Sequence, residues 1–176
     1  MKRIFRYSFD RRIRWSSALI ILIIAMIACA LYFLYDGGYI SAWFFSIAGA
    51  VIALCVLSIP HYIRVGTRTI EIHCLLEMTE IPVEDIVRVE RRERSEMRWT
   101  IPLLASYGFF GFFGFFINMR TFDIQRIYAS QWNNFVEIVN LYEQHYIVSC
   151  DDPDGLVEAI EEARRRARAA SEQAES

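Results

Sequence analysis

Two long uncharged runs decide what this chain can become. Residues 15–35 and 39–59 contain no Asp, Glu, Lys or Arg. Each run is about 20 residues, or roughly 30 Å as a helix, the thickness of a bilayer's hydrocarbon core. Only Asp36-Gly37-Gly38 separates them. Gly-Gly supplies the backbone freedom for a reversal and Asp36 prefers water, so the runs read as neighbouring antiparallel helices. Trp15 stands at the entry, and Tyr32, Phe33, Tyr35, Tyr39, Trp43 and Phe44 crowd the turn, as aromatic residues do at a headgroup interface. The competing reading is a buried helix pair in a soluble protein. Two wholly uncharged runs of this length argue against it.

Flanking charge orients the hairpin. Lys2, Arg3, Arg6, Arg11, Arg12 and Arg14 precede it, Arg64 and Arg68 follow it, and the turn has no Lys or Arg. This predicts a multi-pass protein of the inner (cell) membrane with both termini cytoplasmic and 36–38 outside. Residues 1–14 form a basic arm in which those bases alternate with Phe5, Tyr7 and Phe9. The pattern suits contact with anionic lipid, although an orientation signal alone also explains it. A basic start before an apolar run also resembles a cleaved signal, and Met26-Ile27-Ala28-Cys29 resembles a lipid-attachment box. The chain stays apolar beyond Cys29, and a second run follows at once.

The 176 residues leave room for one further domain of roughly 100 residues. The net charge of −2 hides an asymmetry: +6 over residues 1–68, −10 over 69–163 and +2 over 164–176. An acidic domain argues against nucleic acid and against phosphate-rich ligands on its general surface. The four cysteines form no Cys-x-x-Cys pair, and the three histidines, His61, His73 and His145, lack metal-ligand spacing. No phosphate loop or nucleophile elbow is present, so no cofactor, metal or catalytic residue is assigned.

After Ile59 the periodicity changes to two. Residues 68–73 alternate polar and apolar, 76–81 can form a second strand, and Pro82 begins a bend before a further alternation at 87–91. Residues 121–128, 134–140 and 145–150 read as an antiparallel meander. Asp152 or Asp154 is placed to cap a final helix, with Leu156, Val157, Ile160 and Ala163 on one stripe. Arg164, Arg165, Arg166 and Arg168 complement its dipole, and 169–176 are expected to fray.

Residues 99–117 carry no charge, and Gly108, Gly111 and Gly114 are each followed by a Phe pair. A third membrane span would cut the domain in two, leaving neither half able to bury its apolar face. The preferred account is a Gly/Phe-rich excursion at 106–118 that leaves the sheet and re-enters it near 118–121. Gly108, Phe109, Phe110, Gly111, Phe112, Phe113, Gly114, Phe115 and Phe116 would then contact the membrane or a partner. Filling of the domain core by these rings is the other reading.

The stretch 108–118, then Ile127-Tyr128-Ala129, Tyr146-Ile147-Val148-Ser149, Asp151-Asp152-Pro153-Asp154 and Leu156-Val157-Glu158-Ala159-Ile160 together resemble bacterial pleckstrin-homology-like proteins anchored by paired membrane helices. The resemblance covers about residues 65–165. It implies a membrane helical hairpin plus a mainly-β (α+β) soluble domain at 65–168. That domain would be a bent antiparallel sheet or barrel of about seven strands closed by a C-terminal helix. It supplies no ligand: eukaryotic relatives use clustered bases near the first strands, where this chain has Arg68 followed by Glu71, Glu77, Glu80 and Glu84. The expected function is a non-catalytic, membrane-tethered interaction or scaffolding module with a protein partner, itself open to homo-oligomer formation. The alternatives are a small membrane enzyme, with acid/base groups among Asp36, Asp123, His145 and 151–154, and a subunit of a transport or envelope complex.

Overall fold

The structure is a computed structural model that describes residues 3–7, 11–34, 39–57, 59–74 and 78–175. Helices α1 (Arg11–Leu34) and α2 (Tyr39–Leu57) pack against each other, and both are long and apolar enough to cross a membrane. Their turn at 36–38 lies outside the described residues. Helix α1 begins four residues before Trp15, and Ile13 in that first turn is buried against the domain.

The rest, among the described residues, is ten strands, two short 3-10 turns and a closing helix. Strands β1 (Arg3–Arg6), β2 (Pro60–Val65), β3 (Thr69–Cys74) and β4 (Met78–Pro82) form one antiparallel sheet in chain order. Strands β5 (Ile86–Arg92), β6 (Thr100–Tyr107), β7 (Phe112–Asn118), β8 (Ile124–Ala129), β9 (Phe135–Asn140) and β10 (His145–Ser149) form the other, in the order β5-β9-β10-β8-β7-β6. Helix α3 (Pro153–Glu175) covers the first core. The expected class is the one observed: an apolar helical hairpin followed by a mainly-β domain with a C-terminal helix.

Several details differ from expectation, each for a physical reason. The basic arm contributes a strand: Arg3 pairs with Val65 and Arg6 with Tyr62, placing Phe5 against the core. The three segments read as a meander are not consecutive neighbours. Strand β10 runs between β9 and β8, antiparallel to the first and parallel to the second. That crossing is held by the β8–β9 connection, where the Ser130 N–H donates to Ser149 Oγ (3.1 Å) and Gln131 Nε2 to the Cys150 carbonyl (3.1 Å). Helix α3 runs to Glu175, through residues whose Ala, Glu and Gln favour helix.

The main core lies between the sheets. Ile70 and Ile72, two apart on β3, meet Val136, Ile138 and Val148 of the other sheet, and Leu156 and Ile160 of α3 close the end. A buried hydrogen bond between Thr79 and the Tyr128 hydroxyl (3.0 Å) links the two sheets. A second core lies on the opposite face of the six-stranded sheet, where Ile13 of α1 packs with Phe112, Phe116, Ile127 and Phe135. The start of the first apolar helix is thus part of the β domain.

Candidate functional site at the junction of helices and sheet

The stretch expected to leave the sheet is instead a hairpin within it, β6 paired antiparallel with β7. Its glycines make this possible. Gly108 (φ 79°), Phe110 (φ 55°) and Gly111 (φ 139°) bring the chain round in left-handed conformations, and the Gly108 N–H donates to the Gly111 carbonyl at 2.9 Å. Gly114 (φ 116°) lies where β7 meets a bulge in β6 between Pro102 and Leu104. A β-carbon there would stand 2.5 Å from the Leu104 carbonyl oxygen. The three-residue glycine repeat therefore encodes a turn and a close strand crossing.

The hairpin tip is fastened to α1 by two hydroxyls. Ser16 Oγ donates to the Gly108 carbonyl (2.6 Å), and the Phe110 N–H donates to Ser17 Oγ (2.8 Å). Within the tip, Ser106 Oγ donates to the Phe109 carbonyl (2.6 Å). Trp132 closes the inner side, its ring 4.2 Å from Phe112, 5.4 Å from Phe135 and 5.5 Å from Tyr107, centroid to centroid. Between tip and helices lies an open cavity of about 490 Å³, lined among others by Ile20, Ile24, Ile47, Ala48, Tyr107 and Phe109.

The six phenylalanines divide between core and surface. Phe112, Phe113 and Phe116 are buried, whereas Phe109 and Phe110 are half-buried and Phe115 is 37% exposed beneath the Arg126 guanidinium. Within residues 99–117 the most exposed apolar side chains are on β6, the edge strand: Leu103 is 63% and Leu104 75% exposed, with Ile101 and Tyr107 also open. The sequence reading named the Phe pairs and not these exposed neighbours. The available signal was Pro102, a residue that strands tolerate at an edge.

The basic residues are also spread apart. Lys2 lies outside the described residues, as does the side chain of Arg12. Arg11 and Arg14 are exposed on the first turn of α1. Arg3 sits at the other end of β1, three residues or about 10 Å beyond Arg6, and pairs with Glu162 of α3 (3.4 Å). Arg166 also pairs with Glu162, and Arg164 donates to the Val87 carbonyl (2.7 Å). The two outer bases named from sequence, Arg3 and Arg14, thus point to opposite ends of the domain.

Elsewhere the sheet holds one buried charge cluster. Glu137, 1% exposed, accepts from Arg92 Nη2 (2.8 Å) on one oxygen and stands 2.9 Å from His145 Nδ1 with the other. Arg88 lies 3.5 Å away. Burial pushes the Cys150 thiol up to about 12. Among the described residues no cluster of His, Cys, Asp and Glu could hold a metal ion. At the end of the sheet away from the helices, Phe122 (φ 60°) and Ile124 are exposed on an open cavity of about 710 Å³ that Asp123, Arg126, Glu143 and His145 also line, and Leu141 and Tyr142 are exposed in the β9–β10 turn.

The two apolar helices thus lie between the first and second strands of a two-sheet domain closed by one helix. The family model of the bacterial PH domain matches residues 62–164. The chain belongs to the bacterial PH domain family. The match starts inside β2, so β1, α1 and α2 stand outside the matched segment. No curated protein and no solved structure gives a significant match. In this PH domain the β2–β3 connection, Gly66 to Arg68, lies at the end of β2 remote from α2, beside Arg3 and Arg166.

Proposed function

We propose that this protein is a membrane-anchored PH-domain interaction module, without catalytic activity, that offers the far end of its sheet to a protein partner in the cytoplasm. The two apolar helices cross the inner membrane, with both ends on the cytoplasmic side and Arg11 and Arg14 among the anionic headgroups. Strand β2 begins three residues after α2 ends, so the domain stands directly at the membrane surface. The β2–β3 loop then faces away from the bilayer, and its nearby bases Arg3 and Arg166 are both engaged by Glu162. That geometry disfavours a lipid headgroup as the ligand of this loop.

The observation that carries the reading is the exposed apolar group at the far end. Phe122 is held in a left-handed backbone conformation that a bulky residue rarely adopts, with its N–H donating to the Asn118 carbonyl (2.7 Å). The turn presents the ring outward beside Ile124, Leu141 and Tyr142. Asp123, Glu143, Arg126 and His145 line the same cavity. A partner segment with an apolar anchor flanked by polar side chains fits this chemistry.

The test is co-purification of full-length protein from membranes, comparing wild type with Phe122→Glu and Tyr142→Glu. A specific partner lost in both variants supports the proposal. An identical partner set in wild type and variants sinks it. Cysteine accessibility at position 37 and a reporter at position 176 check the topology.

A further inference from the structure

We infer that the β6–β7 hairpin is a third membrane-contacting element, seated in the leaflet on the domain's own side. The inference rests on the anchored reading above and goes beyond it, because it assigns an occupant to a surface outside the two helices.

The first argument is depth. Trp15 opens the apolar part of α1 and is exposed, the position of an interfacial anchor. The next two residues, Ser16 and Ser17, hold the hairpin tip. The cavity above the tip reaches Ile24, nine residues past Trp15, or about 13 Å further along the helix. The tip therefore stands at the level of the headgroups, with Phe109 and Tyr107 lining the cavity beside the apolar helices.

The second argument is the state of the tip's backbone. A turn in water leaves its carbonyls and amides to solvent. Here the Gly108 and Phe109 carbonyls and the Phe110 amide are taken by serine hydroxyls, and the Gly108 amide by the Gly111 carbonyl. Satisfaction from within is what a poorly hydrated site demands.

The third argument is the edge. A long, exposed apolar edge strand would ordinarily invite another strand to pair with it. On β6, Pro102 has no N–H to offer and the bulge after it breaks the register. Strand addition is obstructed while Ile101, Leu103, Leu104 and Tyr107 stay exposed. The headgroup layer accepts such side chains while its water satisfies the free amides and carbonyls of the edge, which hydrocarbon would not. Continuity with the exposed apolar faces of α1 and α2 makes the bilayer the occupant.

The experiment uses the full chain in nanodiscs of phosphatidylethanolamine and phosphatidylglycerol. A photoreactive benzoylphenylalanine replaces Leu104 or Tyr107 in turn, both exposed, so the fold tolerates the change. Ile27, exposed in mid-α1, is the probe of anchoring, and Val87, exposed on the opposite edge strand, is the solvent control. The expected result is a gain of lipid-mass adducts at 27, 104 and 107 and none at 87. Adducts at 27 without any at 104 and 107 overturn this inference and leave the anchor standing. No adduct at 27 removes the anchored reading and this inference with it. Cross-linking of position 104 to a second copy of the chain overturns it in favour of self-association through β6.

Discussion

Replacing Gly114 by Ala should detach one strand while leaving the domain folded. The added β-carbon would meet the Leu104 carbonyl oxygen at 2.5 Å and Ala105 Cα at 2.8 Å, both backbone atoms that cannot rotate aside. The φ of 116° adds strain on the order of 1–3 kcal/mol for a residue with a side chain. Loss of unfolded-state freedom returns about 0.4–1 kcal/mol. With the contact included, the net penalty is about 2–3 kcal/mol, concentrated on the β6–β7 pairing. Strand β6 has no neighbour on its other side, so it can open alone. At about 1.4 kcal/mol per tenfold, amide exchange across 100–107 should accelerate roughly 30- to 150-fold. Hydrogen–deuterium exchange read by peptide mass spectrometry measures this, with the β9–β10 peptide as the internal reference. Gly49→Ala in α2, where nothing lies within 4 Å of the new β-carbon, is the matched control and should leave exchange at 100–107 unchanged. Wild-type exchange at 100–107 in Gly114→Ala would refute the claim that the glycine serves strand crossing.

Tyr128→Phe removes the hydroxyl between the sheets and leaves Thr79 without that partner, so thermal or urea unfolding should show a loss of about 1–3 kcal/mol. Asp152→Ala removes the carboxylate that accepts the Gly155 N–H at 2.9 Å; the helix-capping loss of about 1 kcal/mol should appear as a lower denaturation midpoint. Cys150 has its pKa raised from 9.0 to about 12 by burial, so the folded state holds its proton where the unfolded state releases it. Its contribution to stability is therefore complete below pH 9 and declines as pH rises towards 12. Unfolding free energies measured across that range should fall more steeply in wild type than in Cys150→Ala, and equal slopes would contradict the assignment.

Much of the scaffold was legible because it rests on local period. Ile70 and Ile72 alternate with polar residues on β3, and Leu156 and Ile160 form the stripe of α3. The Asp152 cap and the two apolar helices are also written in consecutive residues. Strand β1 was not legible: Arg3-Ile4-Phe5-Arg6 is too short to show alternation, and its partner β2 lies beyond both helices. The β6–β7 hairpin was hidden because glycine at every third position breaks the period of two, and a bulge shifts β6 against it. Its attachment to α1 depends on Ser16 and Ser17, which in sequence are simply small residues near a helix start. The order of β8, β10 and β9 is set by contacts between connections, which no local pattern displays. Within the Gly/Phe stretch no local pattern separates the three buried rings from the exposed side chains of β6, because the glycines and the bulge break the alternation.

The pairing of β1 with β2 also orders events during synthesis. The ribosome delivers β1 first, then both helices, and only afterwards the strand that β1 must join. Until the second helix is made, Arg3 to Arg6 has no edge to occupy, and Phe5 has no core to enter. A nascent chain whose helices fail to pair leaves its first and second strands separated. The finished ladder is thus a record that both helices reached their places.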